Sequence, residues 1–226
     1  MGGQACVFYG AAQFSRDVDL AILAGSENLA ALAAAFAELQ AVVVAVPPFE
    51  ARFLDMGLAV HFRCAAPGVE NLRVDVMTTM RGVDGFSALW ERRTTIDIGG
   101  DQIDMMSLPD LVQAKKTQRL KDWPMIQRLV EASWYAFRAE PTPERIDFWL
   151  RECRTPALLL EMASRYPGEA RVLSPSRPVL ASACRGDEAA TRDALEEEQK
   201  RIMAEDRVHC MPLKRVVEKL RCAQPL

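Results

Sequence analysis

Residues 2–23 read GGQACVFYGAAQFSRDVDLAIL, and the way they fold decides how the rest of the chain is arranged. Two glycines open the segment. The stretch over 4–14 then reads as a short helix. Residues 17–23 (DVDLAIL) alternate polar and apolar at the start, the period of a strand with one buried face. Val18 and Leu20 fall on the core side, so the Asp17 and Asp19 carboxylates share the other. Two carboxylates this close repel, and both stay ionised most readily where a cation bridges them. Hard oxygen ligands suit Mg²⁺ (or Mn²⁺).

Working outward, Ser26 is a plausible N-cap for an Ala/Leu-rich helix over 27–40. Residues 41–46 (AVVVAV) are β-branched and read as a short buried strand, broken by Pro47-Pro48. Two more strands are expected near 59–64 and 72–77. In the second, Val74 and Val76 share a face and Asp75 lies opposite. If this strand neighbours 17–23, Asp75 meets Asp17 and Asp19. Residues 94–98 and 103–106 flank Gly99-Gly100-Asp101-Gln102, a hairpin signal.

The character then changes to helix. Ser107-Leu108-Pro109-Asp110 resembles a capping box with Asp in place of Glu. The helix it opens is expected to reach about residue 120, which puts Lys115 and Arg119 on one face and Asp122 near the same side. Another helix follows over 124–138. Thr142-Pro143 and Thr155-Pro156 each pair an N-cap with proline at the first helical position. Residues 171–178 read as a linker, followed by helices around 186–206 and 211–222. The four tryptophans are expected as core or interface anchors. The order is α+β, with a mixed β-sheet core over 1–106, a helical region over 107–170, and a linker with C-terminal helices over 171–226.

Bulk properties narrow the function classes. The chain has 226 residues, half of them hydrophobic, with a net charge of −3 and a pI near 5.6. A mildly acidic chain is not a generic nucleic-acid coat. The six cysteines form no C-x-x-C pair, and no secretory signal precedes them, so they are expected to be reduced in a cytoplasmic protein. No apolar run approaches membrane-spanning length.

The spacing carries a resemblance. Gly2-Gly3, then thirteen residues, then Asp-Val-Asp-Leu, then a later apolar-Asp-apolar, resembles the DNA polymerase β-like nucleotidyltransferase superfamily. Residues 2–20 look especially like the branch that holds bacterial nucleotidyltransferase toxins and their small relatives. That branch also carries a downstream leucine–lysine helix ending in Arg-x-Lys-Asp, matched here by Arg119-Leu120-Lys121-Asp122. The likeness covers roughly residues 1–135. There are two departures. In the family an apolar strand precedes the Gly-Gly turn, where only Met1 does here. Gly-Gly also replaces Gly-Ser, which leaves Ser15 as the hydroxyl at the strand entrance.

The resemblance implies a nucleotidyltransferase-like fold that moves a nucleoside monophosphate from an NTP to an acceptor hydroxyl. Asp17, Asp19 and Asp75 would be the catalytic, metal-binding carboxylates. Gly2, Gly3 and Ser15 would hold phosphate, with Lys115, Arg119, Lys121 and Asp122 completing the nucleotide site. The acceptor is an RNA end, a protein or a small molecule, and a toxin role implies an antitoxin partner. No membrane partner is expected. The alternative is a catalytically inactive member of the fold that works as a binding module.

Overall fold

A computed structural model describes residues 1–223. Two compact units are present. The first comprises Met1–Phe8, Ala12–Ala114 and the stretch from Val208, and the second Tyr9–Ala11 and Lys115–Arg207. The break therefore falls after Ala114 rather than at 106, and 171–207 belong with 115–170 instead of forming a separate region.

The first unit contains α1 (Gly2–Phe8), β1 (Asp17–Ala21), α2 (Ser26–Glu38), β2 (Val42–Val43), α3 (Ala51–Asp55), β3 (Val60–Arg63), β4 (Arg73–Met77), α4 (Phe86–Glu91), β5 (Thr94–Ile98), β6 (Asp101–Met105) and α5 (Leu108–Ala114). The main sheet has the order β1-β4-β3-β2. β1 and β4 run parallel, while β4–β3 and β3–β2 are antiparallel, so the sheet is mixed. Parallel neighbours need a long crossover, and the chain between Ile22 and Leu72 supplies it. Alternation puts Val18, Leu20, Val74 and Val76 against a core of Ile22, Phe36, Leu54, Val60 and Phe62. Phe36 and Phe62 lie 4.1 Å apart between ring centroids.

Several expectations need correction. The AVVVAV stretch is not a buried strand. Val42 and Val43 pair with β3 on one side, the Val44 amide adds a bond to the His61 carbonyl at 3.0 Å, and all three valines are exposed. The run was apolar enough for a core strand, but it lies at the sheet edge, where a neighbour exists on one side only. α2 likewise buries only Phe36, with Leu29 and Leu32 partly covered. α1 stops at Phe8, short of 14. In the hairpin, Asp101 and Gln102 pair within β6, so Gly99 and Gly100, both at positive φ, make the whole turn.

The cap of α5 forms as expected: Ser107 Oγ accepts from the Asp110 amide at 3.3 Å and donates to Asp110 Oδ2 at 2.6 Å. The helix nevertheless ends at Ala114. Thr117 diverts the chain. Its amide donates to the Lys115 carbonyl, its hydroxyl donates to Asp122 Oδ2 at 2.6 Å, and it accepts from the Arg119 amide at 3.1 Å. Such local bonds compete with helix propagation. Lys115 and Arg119 therefore do not share a helical face.

The second unit packs a 3₁₀ turn (Leu120–Asp122) with α6 (Trp123–Phe137), α7 (Pro143–Glu152), α8 (Pro156–Arg165), α9 (Pro167–Leu173), α10 (Val179–Cys184) and the first part of α11 (Glu188–Ala223). Trp134 and Trp149 meet edge to face at 4.9 Å, fully buried, with the Trp149 indole donating to Ser133 Oγ at 3.0 Å. Trp123 is buried as well, whereas Trp90, in the first unit, is 42% exposed. The expected 171–178 linker is structural. α9 runs through Leu173, and buried Arg177 donates to the carbonyls of Leu150 and Cys153. The two expected C-terminal helices are one, α11, with Pro212 inside it.

Leu54 and Val42 test this assignment of core and edge. Leu54→Ala, at a fully buried site, should destabilise the protein by about 2–5 kcal/mol in a urea titration. Val42→Thr should move stability by no more than about 0.5 kcal/mol.

Candidate active site

The β1–β4 ladder sets the geometry of the acidic face. Asp19 pairs with Asp75 and Asp17 with Arg73. On the far side of β4, His61 pairs with Asp75 and Arg63 with Arg73. Because side chains alternate, all six project from the face opposite the valine core. Asp19 and Asp75 are thus neighbours on strands about 4.8 Å apart, though they lie far apart in sequence.

Asp75 is the most enclosed of the three acids. Arg73 grips it as a fork, Nε to Oδ1 at 2.8 Å and Nη2 to Oδ2 at 3.0 Å. His61 Nδ1 lies 2.8 Å from Oδ1 and 3.1 Å from Arg73 Nη2. The tautomer decides which of these is a bond, because Nδ1 either donates to the carboxylate or accepts from the guanidinium. Burial pushes the Asp75 carboxyl up, but the hydrogen bonds from His61 and Arg73, with their charges, outweigh it and hold the group below the ordinary range. The bond to Asp75 raises Arg73 in turn, against a smaller opposing effect of burial.

The glycine turn packs directly on β1. The Met1 amino group donates to the Asp19 carbonyl at 2.8 Å, and the Gly3 amide donates to Asp19 Oδ2 at 3.2 Å. Gly2 has φ +64°, and a Cβ there would lie 1.8 Å from Asp19 Oδ2. A Cβ on Gly3 would lie 2.3 Å from Ser15 Oγ. At Gly2 only glycine allows both the positive φ and the approach to Asp19, whereas a side chain at Gly3 would have to turn the Ser15 hydroxyl aside. Ser15 Oγ donates to the Asp17 carbonyl at 3.0 Å, which ties the strand entrance to the turn.

Carboxylate oxygens are the donor type that hard divalent cations take. Among the described residues, no hydrogen bond or ion pair engages the Asp17 carboxylate, and Asp19 Oδ2 takes only the Gly3 amide. Arg73 neutralises Asp75 and leaves two negative charges side by side on β1. Among the described residues, no three His, Cys, Asp or Glu side chains are grouped closely enough to hold a metal as they stand. The Asp75 oxygens are engaged by Arg73 and His61.

The remaining expected residues belong to the second unit. Arg119 Nε binds Asp122 Oδ2 at 2.8 Å, so Asp122 does orient a cation. Asp122 is buried, and Lys121 is exposed on the 3₁₀ turn. Lys115 is half-buried in the turn after α5. Lys116 pairs with Glu152 at 2.8 Å and is structural. The sequence reading missed His61. Its signal was the alternation of Val60, His61, Phe62 and Arg63, which puts His61 on the Asp75 face once the two strands pair antiparallel.

All six cysteines are unbridged, and burial pushes the Cys153 thiol up to about 11. No helix among the described residues is long and apolar enough to cross a membrane. Comparison with family models, characterised proteins and solved structures finds no match.

The Asp75 clamp predicts a pH signature. A carboxyl held below its unfolded value of about 3.9 adds stability at higher pH and loses it as pH falls through the lower folded value. Urea midpoints of the wild type should therefore drop below about pH 4. The Asp75→Asn variant should show a shallower drop over the same range, and parallel curves would contradict the clamp.

Proposed function

We propose that the chain is a metal-dependent nucleotidyltransferase of the DNA polymerase β-like kind, transferring an NMP from an NTP to an acceptor hydroxyl. The observation that carries the reading is convergence on one face. Gly2-Gly3, Ser15, Asp17, Asp19 and Asp75 span the first third of the chain, yet they meet around β1. A solvated Asp-x-Asp on a strand end gives no reason for two glycines to be pressed against it.

Asp17 and Asp19 would hold Mg²⁺ or Mn²⁺, and Asp75 would join them where Arg73 gives way. A bound divalent cation supplies charge neutralisation for the triphosphate and a lower pKa for the acceptor hydroxyl. The turn at Gly2-Gly3 presents backbone rather than side chain, which permits close approach of a phosphate. In the transfer, the acceptor oxygen bonds to the α-phosphorus and the bond to the bridging oxygen breaks. Pyrophosphate leaves with that electron pair. Asp75, held ionised and already hydrogen-bonded, is a poor proton acceptor, so the hydroxyl proton passes to water. Arg73 keeps Asp75 pointed along the face.

Arg73 favours one second reading. With both Asp75 oxygens occupied by Arg73, a non-catalytic binding module of the same fold is the alternative. Incubating the protein with Mg²⁺, each α-labelled NTP in turn and cell extract separates the two. The transferase reading expects label on RNA, protein or a small molecule, lost in Asp17→Ala/Asp19→Ala. Equal labelling by the double variant sinks it. Nucleotide binding without transfer supports the binding module. Gly2→Ala should weaken NTP binding about tenfold (about 1.4 kcal/mol), because its methyl group displaces the turn from Asp19.

A further inference from the structure

Within the second unit, Leu120, Trp123, Pro156 and Leu195 wall a pocket of about 380 Å³. That volume falls in the range of small-molecule sites. Arg154 and Arg192 also line it, with Glu196 as the acidic member. Arg154 is the unusual one. Its side chain is 6% exposed, and its guanidinium lies over the Trp123 ring, 5.1 Å from the centroid.

Its pairing is incomplete. Nη1 donates to Glu198 Oε2 at 2.6 Å, while Nε is buried with no hydrogen-bond partner. A guanidinium carries five N–H donors, and among the described residues Glu198 is its one acceptor. That carboxylate is shared, because Arg177 Nε and Nη2 reach both of its oxygens at 3.2 and 3.1 Å. Two buried arginines thus divide one acid. Burial, then repulsion from Arg177, lowers the Arg154 pKa, and Glu198 and Glu152 oppose this. An arginine stays charged regardless. Of the nearby acids, Glu131 bonds Thr155 and Gln127, Glu188 holds Arg192, and Glu152 holds Lys116 through Oε1 while its buried Oε2 has no hydrogen-bond partner; Glu196, on the pocket wall, is exposed. A buried guanidinium with an unpartnered Nε, sharing its bonded carboxylate with a second arginine and set in an apolar and aromatic pocket, has donors left for a further acceptor.

We propose that this pocket binds a small organic anion, a carboxylate or phosphate group on an apolar or aromatic body. The anionic end meets Arg154 and Arg192, and the body lies against Trp123, Leu120, Pro156 and Leu195. The site is independent of the nucleotide reading, since it uses none of the acids or glycines of β1.

Calorimetric titration of the full chain with benzoate, phenyl phosphate, inorganic phosphate and benzyl alcohol tests it. At least one of benzoate and phenyl phosphate should bind, and the tighter of the two identifies the acidic group. Benzyl alcohol, without the charge, and inorganic phosphate, without the body, should each bind at least about tenfold more weakly. Arg154→Gln should lower affinity by about tenfold or more. Because Arg154 also supports Glu198, two variants on the pocket wall guard against a folding artefact. Arg192→Gln, at a largely exposed side chain, should weaken binding, and Gln199→Trp, at a residue that lines the pocket, should block it. Failure of both anions to bind, equal binding of benzyl alcohol, or unchanged binding in Gln199→Trp each overturns the proposal.

Discussion

The parallel pairing of β1 with β4 constrains everything built on the acidic face. It sets Asp19 beside Asp75 and Asp17 beside Arg73 in the same step that buries Val18, Leu20, Val74 and Val76. Side chains alternate along a strand, so a slip of one residue would turn the acids into the core and the valines to water. The cost of burying three carboxylates excludes that register. Core packing and site geometry are therefore one specification, and the Gly2-Gly3 turn adds to it by closing directly on the Asp19 carboxylate.

Charge on this face is balanced unevenly. Arg73 and His61 gather around Asp75, and the two acids of β1 have no equivalent partner. Arg73 is 41% exposed, so the ion pair contributes about 1 kcal/mol or less to stability. Its consequence is chemical. It keeps Asp75 ionised and oriented, and it leaves Asp17 and Asp19 without such a clamp. A cation entering there meets two carboxylates whose mutual repulsion it relieves. The second unit shows the converse arrangement, where buried cations outnumber the acid they share at Glu198.

Local patterns in the sequence carried the acidic strands well. The alternation in 17–20 and 73–77 marked both the strands and the faces their side chains occupy. The Gly99-Gly100 turn, the Ser107 cap and the Thr142-Pro143 helix start were readable because each depends on a few adjacent residues. What failed depended on distant ones. AVVVAV has the composition of a core strand, and only the sheet order shows that it lies at the edge. Lys115 and Arg119 have helical spacing, but the Thr117 bonds to Asp122 end the helix first. Arg177 looked like part of a polar linker until its guanidinium met the carbonyls ending α7 and, across the helices, Glu198. His61 acquires meaning only through its pairing with Asp75.

The proposed nucleotidyl transfer requires that β1 and β4 present a cation site for a nucleotide. Backbone amide NMR of the chain with a non-hydrolysable NTP and substoichiometric Mn²⁺ reads it directly. Paramagnetic broadening should centre on residues 17–19 and 75 and vanish in Asp17→Asn/Asp19→Asn. Broadening elsewhere, or the same pattern in the double variant, would contradict the account.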